Sequence, residues 1–156
     1  MNPELDLEIT RILPAPPRAV WRAWTDPDEL RAWFIPAPTT LRVDRLDVRP
    51  GGGLVTSLSD DGVAFHPHID AVFLVVEQDS RLVWTNAVDS EWRPQRPQPV
   101  PLTAEIRLLP HTEGTDYRVV VRHGRAEDRD RHAELGFFEG WGTVTDQLAA
   151  HIEQRP

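Results

Sequence analysis

Between residues 41 and 123 the chain runs through short stretches of alternating apolar and polar residues, and no link between them could hold the helix that a parallel crossover needs. That restricts the segment to consecutive antiparallel strands, expected near 41 to 48, 54 to 59, 64 to 77, 81 to 88, 102 to 109 and 116 to 123. Turn chemistry separates them at Pro50-Gly51-Gly52-Gly53, Asp60-Asp61-Gly62, Asp79-Ser80 and His111-Thr112-Glu113-Gly114. Residues 89 to 101 interrupt the rhythm, because Pro94, Pro97, Pro99 and Pro101 forbid regular ladder hydrogen bonds. This loop, which carries Trp92, is either a surface excursion or a flap over a cavity mouth.

Ahead of the strand run, Leu5, Leu7 and Ile9 alternate with Asp6, Glu8 and Thr10, which predicts an opening strand ended by Pro14, Pro16 and Pro17. Pro17 and the cap-and-proline pair Asp26-Pro27 then start two short helices, with apolar stripes Val20, Trp21, Trp24 and Leu30, Trp33, Phe34. At the other end, residues 126 to 154 read as one long helix whose inward arc collects Leu135, Phe138, Trp141, Gly142, Thr145, Leu148, Ala149 and Ile152, with Glu139, Thr143, Asp146 and Gln147 on the opposite side. The fold class is α+β: about seven antiparallel strands in a curved sheet, two short helices after the first strand, and a long helix against the sheet.

A length of 156 residues, 40% of them apolar, predicts a single domain over 1 to 156. The formal charge of −8 repels phosphate backbones, so nucleic acid is not an expected partner. There is no cysteine, which excludes disulfides, thiolate catalysis and iron–sulfur ligation. There is also no lysine, which excludes a phosphate-binding Gly-Lys loop and Schiff-base chemistry. No run of apolar residues is long enough for a membrane span, and a cytoplasmic location is expected.

Candidate functional residues are few. Gly136, Gly140 and Gly142 each weaken a helix by ~1 kcal/mol relative to alanine, so they mark either a kink or a close approach, or else volume left for a ligand. Trp84, on a strand face with Leu82 and Asn86, and Trp141 either pack the core or line that volume. His66, His68 and Asp70 lie at i, i+2 and i+4, so on a regular strand they share a face where a divalent metal could bind, although Pro67 interrupts them and solvated edge-strand residues show the same pattern. No serine stands in a nucleophile-elbow pattern, and no catalytic residue can be named.

The run Gly136-Phe137-Phe138-Glu139-Gly140-Trp141-Gly142 resembles the carboxy-terminal helix signature of bacterial proteins related to the activator of the heat-shock protein 90 ATPase, within the START-like, birch-pollen-allergen-like SRPBCC superfamily. The stretches 19 to 27, 46 to 52, 81 to 87 and 113 to 115 match as well. Relatives often carry His where this chain has Phe138 and Asp where it has Asn86, which would make the cavity here drier and less acidic. The resemblance implies a helix-grip fold, in which the sheet wraps the long helix and commonly encloses an apolar cavity. No cofactor is expected.

Three functions are expected, the first from the small residues on the helix face and the interior aromatics, the third from the family resemblance. The first is a binding module for a small hydrophobic, lipid-like or aromatic ligand, lined by Trp84, Asn86, Trp92, Tyr117, Phe138, Trp141 and Thr145. The second is a polyketide cyclase-like or hydratase-like enzyme using Asn86, a histidine and water. The third is an interaction module acting on a chaperone partner. Monomer and homodimer are both compatible with the sequence.

Overall fold

A computed structural model describes residues 1–154, with element order β1 (Asp6–Leu13), α1 (Pro17–Thr25), α2 (Pro27–Trp33), β2 (Thr40–Leu46), β3 (Gly53–Ser59), β4 (His66–Glu77), β5 (Arg81–Thr85), β6 (Thr103–His111), β7 (Gly114–Arg122), α3 (Ala126–Glu134) and α4 (Phe137–Gln154). All strands join one antiparallel sheet in the order β1-β7-β6-β5-β4-β3-β2. Strands β2 to β7 form a meander, each paired with its neighbour in sequence. β1 instead closes on β7, from Asp6 opposite Arg122 to Leu13 opposite Thr115. The first two strands therefore lie at opposite edges, and α1 and α2 carry the chain between them.

Both short helices start where the prolines place them. Pro17 and Pro27 occupy first-turn positions, and the Asp26 carboxylate accepts from the backbone N–H groups of Asp28 and Glu29. Trp24, Trp33 and Phe34 meet edge to face with ring centroids 5.1 to 5.4 Å apart, and this cluster fills one end of the groove over the sheet. Glu29 is buried and ties three helices together through Arg22 at 2.9 Å and His151 at 3.0 Å.

The inner sheet face supplies Leu7, Leu54, Phe73, Leu82, Trp84, Ile106, Tyr117 and Val119 to the same core as the helices. On the outer face the alternation places Glu105, whose side chain is 2% exposed, among Arg81, Arg107 and Arg122 at 2.6, 3.1 and 2.9 Å. Hydrogen bonds and charge from these arginines hold the Glu105 carboxyl below the usual range, against the opposing effect of burial.

The expected single helix over 126 to 154 is two. Gly136 takes φ +95°, a backbone region that side-chain-bearing residues rarely enter, and the chain turns there between α3 and α4. Its carbonyl then accepts the N–H of Gly140 at 2.8 Å and opens the second helix. The break also fixes which phenylalanine points inward. Phe137 is buried and packs on His132 of α3 with centroids 5.1 Å apart, while Phe138 is 52% exposed. The buried positions of α4 are Phe137, Val144, Thr145, Leu148 and Ile152: the last three lie on the arc that the periodicity outlines, whereas nearer the elbow Phe137 and Val144 take the inward places.

Candidate functional site: a cavity at the α3–α4 elbow

The tryptophan cluster fills the groove at the α1–α2 end. At the other end α4 does not close onto the sheet, and a half-open cavity of about 310 Å³ lies between the elbow, strands β4 and β5, and residues 98 to 102. That volume stands at the bottom of the usual range for small-molecule sites. Phe34, Ile35 and Pro36, which follow α2, form the wall on the third side.

The backbone of that wall is held by a residue that the helical wheel puts on the far side of α4. Gln147 Nε2 donates to the carbonyls of Trp33 and Ile35, both at 2.8 Å, and its Oε1 accepts from the Ala37 N–H at 2.9 Å. Three bonds from one amide thus anchor the segment after α2 to the closing helix. On the opposite wall, Asn86 takes part as structure. Its Oδ1 accepts from the Leu102 N–H at 2.7 Å and its Nδ2 donates to the Val100 carbonyl at 3.3 Å, which seals the base of the proline-rich loop. Asn86 lines the cavity with its amide already engaged, so it is poorly placed for acid–base work.

The residues singled out from the sequence separate into two groups. Trp84, Asn86 and Trp141 line the cavity. Trp92, Tyr117, Phe138 and Thr145 do not. Trp92 is 67% exposed at φ +68° and donates its indole N–H to the Gly51 carbonyl at 2.7 Å, so the loop's first half folds onto the β2–β3 link and only residues 98 to 100 reach the cavity. Tyr117 is fully buried beneath α1, where its hydroxyl accepts from Trp24 Nε1 at 3.1 Å, and burial pushes its phenol far above the ordinary range. Phe138 faces outward for the reason given above, and Thr145 is buried with its hydroxyl donating to the Trp141 carbonyl at 2.6 Å.

The metal constellation also dissolves. The β3–β4 register runs from Thr56 opposite Ile69 to Ser57 opposite Pro67, so His68 is the extra residue of a bulge and the shared face of His66, His68 and Asp70 is lost. Among the described residues no three His, Asp or Glu side chains come together as a metal site. His68 instead turns to the cavity, where its Nδ1 meets Thr56 Oγ1 at 3.0 Å. His68 as a whole is exposed, and desolvation of the part of its ring that meets the protein lowers its pKa to about 4.

Two lining features have no signature in the periodicity. One is His132 from the polar helix α3, whose Nδ1 meets His123 Nε2 at 2.8 Å and whose pKa is lowered to about 4, first by burial and then by His123. The other is electrostatic: among the described residues the wall contains no Asp, Glu or Arg, and the pKa of each of its histidines is lowered to about 4. Within this wall the Trp84 Nε1–H is buried without an acceptor among the described residues, a condition that costs about 1–3 kcal/mol.

A helix-grip sheet with a cavity under its last helix invites comparison with known proteins. The family described as Activator of Hsp90 ATPase homolog 1-like protein matches residues 14–153. The chain belongs to this family. Its place in the SRPBCC superfamily, read from the 136 to 142 signature, follows from the same match. Solved structures agree. Protein NE0264 from Nitrosomonas europaea is 39% identical, with 99% of this chain and 97% of that one covered at a TM-score of 0.87. Two relatives share the fold at lower identity. A Rhodobacter sphaeroides protein is 18% identical, with 100% and 97% covered at a TM-score of 0.83. An AHSA1-like protein from Aeromonas hydrophila is 19% identical, with 96% and 93% covered at a TM-score of 0.67. No curated protein matches the chain. Among the described residues no helix is long and apolar enough to cross a membrane.

Proposed function

We propose that the protein binds a small, uncharged, mainly apolar molecule in the elbow cavity. The observation that carries this reading is the wall itself: about 310 Å³ enclosed by Phe34, Ile35, Leu102, Phe137, Trp141 and Val144, with no ionised side chain at neutral pH. Moving a charged ligand into such a wall leaves its charge unpaired, whereas an apolar one gains from the area it removes from water. The unpaired Trp84 N–H adds a preference for an oxygen acceptor on the side of the ligand that meets β5.

Trp84 and Trp141 both line the cavity and serve as reporters. Neutral bicyclic aromatics such as 2-naphthol should quench their fluorescence saturably, and naphthalene-2-sulfonate, of similar shape and charged, should not. Equal binding of the two, or binding of neither, would refute the proposal. The family description supports a second reading, an interaction module for an Hsp90-type chaperone, and the exposed Leu135 and Phe138 beside the elbow are the surface residues that favour it. Phe138→Ser should weaken chaperone binding and leave 2-naphthol binding intact, because Phe138 lies outside the cavity whereas Leu135 also lines it.

A further inference from the structure

The two histidines at the end of β7 and in α3 form a chain with a defined direction. His123 Nδ1 lies 2.8 Å from the Leu5 carbonyl oxygen, which can only accept, so Nδ1 carries the proton. In the neutral ring Nε2 is then a bare acceptor. It faces His132 Nδ1 at 2.8 Å, and that contact requires the proton to sit on Nδ1 of His132. The opposite nitrogen of His132, Nε2, is left with a lone pair and has no partner among the described residues. Phe137 packs edge to face on the His132 ring with centroids 5.1 Å apart, so the ring is held between His123 and the first residue of α4. His132 lines the cavity.

From this geometry, and resting on the cavity-binding reading above, we infer that His132 Nε2 is the polar anchor of the site and accepts a hydrogen bond from a hydroxyl group on the ligand. The ligand class is accordingly a neutral molecule with an apolar ring or chain body and one hydroxyl donor, such as a phenol or an alcohol. An amine cation would lack the hydration it needs against a wall without carboxylates, and a carboxylate would present lone pairs to a lone pair. His123 is a positioning residue: it touches no cavity space and sets which nitrogen of His132 is bare. Burial keeps His132 neutral at pH 7, so the acceptor is present under physiological conditions.

The test compares 2-naphthol with 2-methoxynaphthalene, which keeps the body and the oxygen and loses the donor. Calorimetric titration of the intact chain should show 2-naphthol binding about five- to tenfold more tightly, the worth of one hydrogen bond. In His132→Phe both probes should still bind and their affinities should become equal. Long-range ¹H–¹⁵N NMR of the unaltered protein needs no variant: it should show His132 protonated on Nδ1, with the Nε2 resonance moving upfield on addition of 2-naphthol. In His123→Phe the His132 proton should redistribute between its nitrogens, a change that a purely structural role would not produce. Equal affinities in the unaltered protein, with both probes bound, would sink the hydroxyl assignment and leave the cavity reading standing. Failure of both probes to bind would sink both. A His132 ring protonated on Nε2 would overturn the inference by itself.

Discussion

Gly140 offers a substitution in which stability and binding should move in opposite directions. The residue lies in the first turn of α4 and in the cavity wall, and a Cβ added there would meet no atom within 4 Å. Alanine removes the backbone entropy that glycine loses in a helix, worth about 0.5–1 kcal/mol at such a position. For a chain of this length that raises Tm by roughly 1–4 °C. Gly140→Leu keeps most of the helix gain and extends a branched side chain into the 310 Å³ hollow, where it should cover apolar wall and exclude the ligand.

Two neighbours calibrate the result. Gly142 has the same open surroundings outside the cavity, so Gly142→Ala should give the same gain without changing binding. Gly136→Ala should cost about 1–2 kcal/mol, because φ there is +95°. Thermal unfolding by circular dichroism and calorimetric titration with 2-naphthol measure both halves. A Gly140→Ala protein less stable than the parent, or a Gly140→Leu protein that still binds the probe at full strength, would refute the account of this wall.

Glu105→Gln should destabilise by about 2 kcal/mol in urea unfolding, since three arginines lose a buried counter-charge while their own exposure softens the loss. A change below a few tenths would mean that the cluster is held by packing alone. Tyr117→Phe strands the Trp24 N–H in the core and should cost about 1–3 kcal/mol, with probe binding unchanged because Tyr117 lies outside the cavity. For pH, the His132 pKa falls from 6.5 in the unfolded chain to about 4 in the folded one. The unfolded state therefore takes up a proton first as pH drops, and stability falls between pH 6.5 and 4 by up to about 3 kcal/mol. Denaturation midpoints should show this decline already at pH 5, above the range where carboxylates titrate, and His132→Phe should reduce it, leaving the smaller part contributed by the more exposed His68.

What the sequence makes legible is local and periodic. Pro17 and Asp26-Pro27 locate both short helices because their chemistry acts within a turn, and the strand alternation orders the sheet because no link permits a crossover. What it hides depends on distant partners. The helical wheel puts Phe138 on the inward arc, and only the turn at Gly136 with the His132 ring across it brings Phe137 inward instead. Gln147 reads as a solvent residue until the carbonyls of Trp33 and Ile35 are brought opposite. The bulge at His68 leaves no local signature beyond Pro67, and it turns an apparent metal ligand into a cavity residue. His132 was hidden by its surroundings, since α3 reads Ala-Glu-Asp-Arg-Asp-Arg-His-Ala-Glu with no apolar stripe. Its nine-residue separation from His123, across a strand end and a helix start, is the one hint available.

The placement of β1 beside β7 has a consequence for how the protein is made. Every other strand finds its partner among adjacent residues, so the meander from β2 to β7 can zip up in step with synthesis, whereas Asp6 must wait until Arg122 has left the ribosome. Through that interval the earliest strand to emerge stays unpaired, and β1 meets an intruding strand with Glu8, Thr10 and Arg11 among its side chains and Pro14 just beyond its end. Polar residues of β1 thus serve the nascent chain as well, guarding it from its neighbours until the last strand arrives.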